Sequence, residues 1–443
     1  MSGYGIQVIR WCALDQAARR GALARPVAAA AGRQEAVAAI LRQVRDGGDS
    51  RLIELTQKYD GVHLDTIEVD PQRLRQARAS VDPGLIEAII SASERIRLFH
   101  AADLPRDQTV ETATGLSCSV RYQPLSVVGL YVPGGSAPLV STVMMLAVPA
   151  RLAGCRQVIM CTPPGPDGAV SPELLAAASL CGVEQVYRLG GAQAVAAMAY
   201  GTETVPRCHK IFGPGNAWVT EAKQQVSLDP GGAAIDLPAG PSEVMVIADG
   251  SALQHGYSEF IAWDLLAQAE HGPDSQALLL TDELALADTV IAHLNRLGPQ
   301  TARAAILDQS LRAARVILVE SMNEALRIAE QYAPEHLIIN TADARQQAQC
   351  VAHAGSVFIG PWTPESLGDY CSGTNHVLPT YGWARSHGAM GVGDFMRRMT
   401  LQEASATGLR TVGATAQTLA RAEGLEAHRM AVQARLAHLQ GAA

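Results

Sequence analysis

The chain has 443 residues, of which 48% are hydrophobic and 5% aromatic, so it can bury a large core and divide into two or more domains. Its formal net charge is −8 and no lysine and arginine cluster is present, so we expect no nucleic-acid partner. The densest apolar run, STVMMLAVPARLAG, is too short to cross a bilayer. It predicts a buried helix, and we expect no membrane partner.

The N-terminus and the cysteines indicate the compartment. MSGYGIQVIRWCALD lacks the basic flank and the apolar stretch of a secretory signal. The eight cysteines have no CxxC spacing, which argues against a disulfide framework and against a thiolate zinc cluster. We therefore expect a protein of the reducing cytoplasm.

An N-terminal segment, residues 1–30, precedes a run of predicted helices. RQEAVAAILRQVRD ends at Gly47-Gly48, the pattern restarts as DSRLIELTQKYDG, and GLIEAIISASERIRLFHAAD follows with apolar residues at helical spacing. We expect this helical part, residues 31–125, to cap a larger domain.

Two series of Val- and Ile-rich runs alternate with helical sequence. The first is VVGLYV, QVIMCT, QVYRLG, KIFG and AAIDLP, and the second is VMVIAD, ALLLT, RVILV, HLIIN and SVFIG. Such alternation predicts parallel strands with crossover helices. The fold class is therefore α/β, with two Rossmann-like parallel-sheet domains that lack the GxGxxG fingerprint, plus helical N-terminal and C-terminal segments. We expect residues 126–239 to form one domain and residues 240–385, joined with residues 31–125, to form the other.

Three glycine-rich turns follow predicted strands: PGGSAP, LGGAQA and FGPGNA. Backbone amides at a helix N-terminus could receive an anion there. Such turns are also common in any α/β protein, and the pattern alone does not decide between the two interpretations.

A predicted helix, FIAWDLLAQAEHGPDSQ, ends near Gly272-Pro273 and carries Gln268 and His271 on one face. The two side chains could bind one metal ion. Because glutamine is an uncommon zinc ligand and a histidine at a helix end often bonds a carbonyl, these two residues alone favour an ordinary structural role.

The polar loop PESLGDYCSGTNHVLPT supplies Glu365, Asp369 and His376 directly after a predicted strand. The ends of strands are where α/β folds place their sites, so this loop predicts function. The motif YAPEHL sets Glu335 beside His336 before an apolar strand; this pair could be an acid and a base or two solvated residues.

Residues 386–443 predict two helices hinged near Gly424, with no further strand. One face is apolar, so the pair could pack on its own chain or on a partner subunit. Glu423 and His428 lie in this segment, and spacing does not assign their roles.

Several stretches, in order, resemble the histidinol dehydrogenases, zinc enzymes that complete histidine biosynthesis. They are GLYVPGGSAPLVSTVMMLA, GGAQAVAAMAYGT, KIFGPGNAWVTEAK, AIDLPAGPSEV, LLAQAEHGPDSQ, YAPEHL, GDYCSGTNHVLPT and AEGLEAH. The resemblance extends from about Arg33 to the last helix. Local departures, DGSALQHGYSEFIAWDLL, VPRCHK and the Ser386-His387-Gly388 turn in SHGAMGVGDF, remove no matched residue.

The resemblance implies the site residues. One zinc ion per subunit would have the ligands Gln268, His271, Asp369 and His428, the last from the partner subunit of a homodimer through an exchanged C-terminal arm. The catalytic pair would be Glu335 and His336. The substrate would meet Ser141, Ser242, Gln268, His271, His336, Glu365, Asp369, Tyr370, His376, Glu423 and His428, and NAD would meet Tyr131, Gln193 and Asn216. Residues 126–239 would then bind the cofactor.

The implied reaction oxidises the primary alcohol of L-histidinol to a carboxylate in two hydride transfers. A neutral imidazole suits removal of the alcohol proton, and a carboxylate suits activation of water that adds to the aldehyde. We therefore assign His336 to the first step and Glu335 to the second. Zinc would mainly orient the chelating substrate.

Four alternatives remain open from the sequence. A paralogous zinc and NAD dehydrogenase could use the same residues on another polar alcohol, such as a sulfonated diol. A zinc hydrolase would also place a metal near Glu335 and His336. A thiohemiacetal route would need a nucleophilic Cys155 or Cys161. A noncatalytic scaffold is the fourth alternative.

Overall fold

A computed structural model describes residues 3–26, 32–134, 138–238 and 240–441. The strands within these residues are β1 (Val8–Arg10), β2 (Gln108–Ala113), β3 (Leu116–Pro124), β4 (Val127–Tyr131), β5 (Gln157–Thr162), β6 (Gln185–Arg188), β7 (Lys210–Phe212), β8 (Ala234–Ile235), β9 (Glu243–Ala248), β10 (Gln276–Thr281), β11 (Arg315–Leu318), β12 (His336–Asn340), β13 (Ser356–Ile359) and β14 (Met396–Ala404). Each of the ten strand runs predicted from the sequence forms a strand.

The α-helices of the same residues connect these strands. They are α1 (Gln16–Ala22), α2 (Arg33–Tyr59), α3 (Pro71–Gln76), α4 (Pro83–Ala102), α5 (Val140–Leu152), α6 (Pro172–Leu180), α7 (Gly191–Tyr200), α8 (Ala217–Leu228), α9 (Gly250–Gln254), α10 (Ser258–Ala269), α11 (Leu284–Leu297), α12 (Ala304–Ser310), α13 (Met322–Tyr332), α14 (Ala344–Ala348), α15 (Glu365–Tyr370), α16 (Ala406–Ala422) and α17 (Glu426–Gly441). α5 is the predicted buried helix. None of the described helices is both long and apolar enough to cross a membrane.

The first sheet has the strand order β1-β11-β10-β9-β12-β13 and is parallel throughout. The five strands β9 to β13 follow the order 3-2-1-4-5 of one half of a Rossmann fold, and β1 is added beside β11. Separate apolar clusters cover its two faces, as expected for a parallel sheet between helices. The N-terminal segment is thus part of this sheet.

The second sheet has the order β6-β5-β4-β7-β8 and is also parallel. This is again the order 3-2-1-4-5, with apolar clusters on both faces. The predicted fold class, two Rossmann-like α/β units without a GxGxxG turn, is confirmed.

The helical residues 33–102 pack on the second sheet rather than on the first. α2 packs on α7 and α8, and α4 packs on α5. α2 breaks at Gly48, whose φ is +53°, as the Gly47-Gly48 pair predicts. The expected grouping of residues 31–125 with residues 240–385 is therefore corrected, because the apolar faces of these helices complete the core around β4 and β5.

A third, antiparallel sheet of order β14-β3-β2 was not predicted. It corrects two expectations: residues 31–125 are not wholly helical, and residues 386–443 contain the nine-residue strand β14. Most β14 side chains are exposed, so the strand carries little apolar alternation. Its conformation follows from pairing with β3, which lies far away in the sequence.

The two predicted C-terminal helices are present. α16 and α17 are joined at Gly424, whose φ of +73° suits glycine, and they pack on each other. α16 also contacts the third sheet.

Candidate active site

The predicted catalytic residues lie at the amino edge of the first sheet. His336 is the first residue of β12, and Glu243 is the first residue of the neighbouring strand β9. The C-terminal end of α10 brings Gln268 to the same edge, within 3.1 Å of the Glu243 carbonyl oxygen. The expectation for the segment after β13 is corrected, because its Glu365 and Asp369 lie near His336 at this edge and not in a site at the carboxyl edge.

Glu335 is held by the beginning of β9. Its Oε2 accepts hydrogen bonds from Ser242 Oγ at 2.6 Å and from the Glu243 backbone N–H at 2.7 Å. Burial raises the pKa of Glu335 to about 7, although the charge of His336 and both hydrogen bonds oppose the shift. A carboxyl group with such a pKa can accept a proton near neutral pH.

His336 is buried among carboxylates. Its Nδ1 lies 3.0 Å from the Glu243 carbonyl oxygen, and its Nε2 lies 3.7 Å from Asp369 Oδ1. Burial lowers the pKa of the ring, but the charges of Glu365, Glu335 and Asp369 raise it well above its usual value. The ring therefore favours the protonated state here, which differs from the neutral imidazole that the sequence analysis assumed.

Asp369 lies between two imidazoles. Its Oδ1 faces His336, and its Oδ2 is 4.0 Å from His271 Nε2. Burial raises the pKa of this carboxyl group, but the charge of the nearby His336 brings it below its usual value. Glu365 differs, because burial raises its pKa well above the usual range.

Of the two other predicted metal ligands of this chain, His271 faces Asp369, and Gln268 adjoins His271 and Glu365. His271 Nδ1 lies 3.0 Å from the Ala267 carbonyl oxygen, so Nδ1–H donates there and Nε2 is left to bind a ligand. Gln268 is fully buried. Its amide satisfies its neighbours when the nitrogen donates to Glu365 and to the Glu243 carbonyl oxygen, which directs the amide oxygen toward His271.

The donor atoms fit a divalent metal ion. His336, Glu365 and Asp369 each offer an atom within 4.8 Å of the others. Within the described residues, the buried atoms His336 Nε2 and Glu365 Oε2 have no hydrogen-bond partner. Imidazole nitrogen, carboxylate and amide oxygen suit zinc, and the unpaired atoms suit a polar ligand beside it.

The loop after β13 connects this cluster to the second unit. His376 Nδ1 lies 3.0 Å from the Asp369 carbonyl oxygen, and His376 Nε2 lies 3.3 Å from Thr142 Oγ1 on α5. Burial lowers the pKa of His376, so this ring is neutral. Ser141 is buried next to Thr142 in sequence, whereas Tyr370 is exposed beside the cluster.

Glu423 and His428 are not brought to the cluster by their own chain. Both side chains are exposed, and within the described residues neither makes a hydrogen bond or an ion pair with the cluster. Their helices, α16 and α17, pack on each other, and α16 packs on the third sheet.

The three predicted cofactor contacts line one cavity of about 940 Å³ at the carboxyl edge of the second sheet. Tyr131 Oη accepts from the Gly191 backbone N–H at 3.0 Å, and burial raises the pKa of this phenol to about 12. Gln193 Nε2 donates to Asp60 at 3.3 Å, and Asn216 caps α8. The volume is in the range of small-molecule sites, about 300–1,000 Å³. Residues 135–137 of the turn PGGSAP lie outside the described residues.

A buried ion pair supports the turn that carries Asn216. Lys223 Nζ donates to Asp236 and, at 2.8 Å, to the Gly213 carbonyl oxygen. Asp236 Oδ2 in turn accepts from the Gly213 backbone N–H at 2.7 Å. Both charged side chains are almost fully buried, so each depends on the other.

Lys223→Met is expected to lower the free energy of unfolding by about 3–5 kcal/mol, because it leaves Asp236 buried without a partner. Urea denaturation measures this change, and titration with NAD should show weaker binding. Lys58→Met, at an exposed lysine of α2, is the matched control. A loss below about 1 kcal/mol would show that water reaches Asp236.

Sequence reasoning missed several contacts in these sites: Arg25, Asp60, Thr142 and Glu243. Glu243 had a signal, since a charged residue opens the otherwise apolar strand EVMVIA and therefore needs a buried partner. The other three make contacts between residues far apart in sequence, which no local pattern indicates.

The cysteines proposed for a thiohemiacetal route are unsuited to it. Cys155 and Cys161 are buried. Burial raises the pKa of Cys155 to about 11 and that of Cys161 well above its usual value. A thiolate nucleophile is therefore disfavoured at both positions.

Comparisons with known proteins agree with the motifs. A family model described as histidinol dehydrogenase matches residues 23–436. The histidinol dehydrogenase of Xanthomonas axonopodis pv. citri (strain 306) is 52% identical over 432 residues, which are 97% of this chain and 99% of the relative. The histidinol dehydrogenase of Vibrio vulnificus (strain CMCP6) is 48% identical over 435 residues, which are 98% of this chain and 99% of that relative. The crystal structure of histidinol dehydrogenase from Elizabethkingia anophelis superposes with a TM-score of 0.94 at 39% identity, covering 99% of this chain and 100% of that one. The chain belongs to the histidinol dehydrogenase family.

Proposed function

We propose that the chain oxidises L-histidinol through L-histidinal to L-histidine, with NAD as the hydride acceptor and one zinc ion per subunit. The observation that carries this proposal is the buried pair Glu335 and His336 beside Asp369, with unpaired polar atoms on His336 and Glu365. A buried acid and base next to a metal-binding carboxylate suit oxidation of a chelating alcohol.

The zinc ligands in this proposal are Gln268, His271 and Asp369 of one chain and His428 of the partner subunit. Zinc held there would orient the substrate and offset the negative charge that raises the pKa of His336. The exposed position of His428 and Glu423 on their own chain supports an exchanged C-terminal arm in a homodimer. The arm comprises α16 and α17.

His336 Nε2 is the atom that removes the alcohol proton in the first oxidation. This nitrogen faces Asp369, whereas Nδ1 is engaged by the Glu243 carbonyl oxygen. Glu335 then takes a proton from the water that adds to the aldehyde, for which a pKa of about 7 is suitable. Glu365 Oε2, which has no hydrogen-bond partner within the described residues, can bind the substrate.

The second α/β unit, residues 126–239, binds NAD in the cavity lined by Tyr131, Gln193 and Asn216. The contact between Thr142 and His376 supports hydride transfer from the substrate site to NAD, because it joins α5, the helix after β4, to the segment after α15. All eight cysteines are free, which supports a location in the reducing cytoplasm.

A close rival, oxidation of a sulfonated diol by the same residues, has no support from the relatives, which are named as histidinol dehydrogenases. A zinc hydrolase needs no dinucleotide cofactor, so the large cavity at the carboxyl edge of the second sheet would have no ligand in that reaction.

The deciding experiment supplies purified protein with L-histidinol and NAD and measures both products. We expect two molecules of reduced cofactor for each histidine, because two hydrides leave the same carbon. A sulfonated diol is the comparison substrate, and a reaction without NAD is the control. Turnover independent of NAD, or turnover of the diol alone, would contradict the proposal.

A further inference from the structure

The backbone of Glu243 connects the two proposed catalytic residues. Its N–H donates to Glu335 Oε2 at 2.7 Å, and its carbonyl oxygen lies 3.0 Å from His336 Nδ1. A shift of this one peptide would therefore move both groups. Because a misplacement of about 1 Å can reduce catalysis by about 10²-fold, whatever fixes Glu243 affects the reaction.

The side chain of Glu243 is fully buried and is bound by Arg25 from the N-terminal segment. Arg25 Nε lies 2.5 Å from Oε1, and Nη2 lies 2.8 Å from Oε2. Such a bidentate pair fixes direction as well as distance. The Tyr381 backbone N–H donates to the same Oε1 at 3.0 Å.

Arg25 also holds the segment that leads into β12. Its Nη2 donates to the Tyr332 carbonyl oxygen at 2.9 Å and to the Ala333 carbonyl oxygen at 3.3 Å. Its guanidinium lies 3.8 Å from the centre of the Tyr332 ring. Ala333 has a φ of +54°, which costs a non-glycine residue energy and needs support from its surroundings. Glu335 lies only two residues after Ala333, so the same support bears on its position.

One guanidinium thus contacts both the beginning of β9, where the Glu243 backbone binds the proposed catalytic pair, and the segment before β12, which leads into the pair. On the β9 side it binds the Glu243 carboxylate, and on the β12 side it binds the two carbonyls before Pro334. Arg25 is largely buried and touches neither Glu335 nor His336 directly by hydrogen bond or ion pair within the described residues. Its action on the reaction must therefore be indirect.

We propose that Arg25, through its ion pair with Glu243, is a positioning residue that sets the distance between Glu335 and His336. The inference rests on the proposed roles of that pair and adds a function for the N-terminal segment. A purely structural ion pair would affect the amount of folded enzyme, whereas a positioning residue affects the turnover of enzyme that is folded and loaded with zinc.

The test compares Arg25→Lys, Arg25→Ala and Glu243→Gln with Arg20→Ala, an exposed arginine of α1 that serves as control. Zinc content, circular dichroism and melting temperature identify the folded samples. We expect kcat for histidinol to fall by about 10- to 10²-fold in the three variants, with KM for histidinol and NAD within about threefold. Lysine should not replace arginine, because it lacks the bidentate fork.

Added guanidinium ion provides the readout that a structural role would not move. In folded Arg25→Ala it should restore kcat about tenfold without a change in KM, because the side-chain position is 13% exposed and a small cation can reach it. If Arg25→Ala does not fold, the kcat values of folded Arg25→Lys and Glu243→Gln test the positioning role.

Values of kcat within threefold of wild type in folded variants would overturn the inference, as would losses that follow zinc content in proportion. The proposed function fails separately, if Glu335→Gln and His336→Asn turn over histidinol normally. Slow Glu335 and His336 variants beside normal Arg25 and Glu243 variants would reject only the positioning role.

Discussion

Glu335→Gln is expected to slow the conversion of supplied L-histidinal by ~10²-fold or more while it spares oxidation of the alcohol. The amide keeps the size of the side chain and can still accept from Ser242 and from the Glu243 backbone N–H. It loses the ability to take a proton from water. Stopped-flow measurement of the two hydride transfers, started separately from histidinol and from histidinal, gives both rates.

His336→Asn is the complementary variant and should slow the first transfer. Asparagine has no basic nitrogen in place of Nε2, which faces Asp369. Glu320→Gln and His63→Asn, at exposed positions, control for the two substitutions. Equal damage to both transfers by each catalytic variant would contradict the division of labour.

The pH dependence of the aldehyde step adds a check on Glu335. Burial raises its pKa to about 7, and only the deprotonated carboxylate can act as a base. The rate of histidinal conversion in the wild type should therefore rise as the pH increases through about 7. Glu335→Gln should lack this rise, whereas a profile shared by both proteins would assign the ionisation to another group.

The strands could be predicted because buried parallel strands are short, apolar and rich in β-branched residues. HLIIN and QVIMCT have this composition, and both are almost fully buried in the two sheets. β14 could not be predicted in this way, because its side chains are mostly exposed and its partner β3 lies more than 270 residues away. The helices before residue 103 were recognised, but which sheet they cover depends on packing that periodicity does not encode.

The resemblance of the motifs indicated which residues form the candidate site, but not the contacts that hold these residues in place. YAPEHL indicated Glu335 and His336, but not that Glu243 holds both through its backbone. The raised pKa of His336 likewise depends on Glu365 and Asp369, which lie on α15, about 30 residues later. Composition and spacing indicate which groups are available, whereas their charge states depend on how the two sheets bring them together.

Removal of zinc is expected to abolish turnover and to leave the fold largely intact. Apolar clusters cover both faces of each parallel sheet, whereas the predicted ligands lie at one edge of the first sheet, so we expect the cores to persist without the metal. Treatment with a chelator, followed by dialysis, should reduce histidinol oxidation to background. Circular dichroism should change little, and added zinc should restore activity.

Asp369→Asn should have the same effect without a chelator. The amide keeps the shape of the side chain but loses the negative charge that faces His271 and His336, so zinc affinity and turnover should each fall by at least ~10²-fold. Asp288→Asn, at an exposed position of α11, is the matched control. Global unfolding on chelation would contradict the independence of the cores. A folded Asp369→Asn protein with normal zinc content and normal turnover would instead show that the metal ligands lie elsewhere, because no other anionic carboxylate of the cluster faces His271.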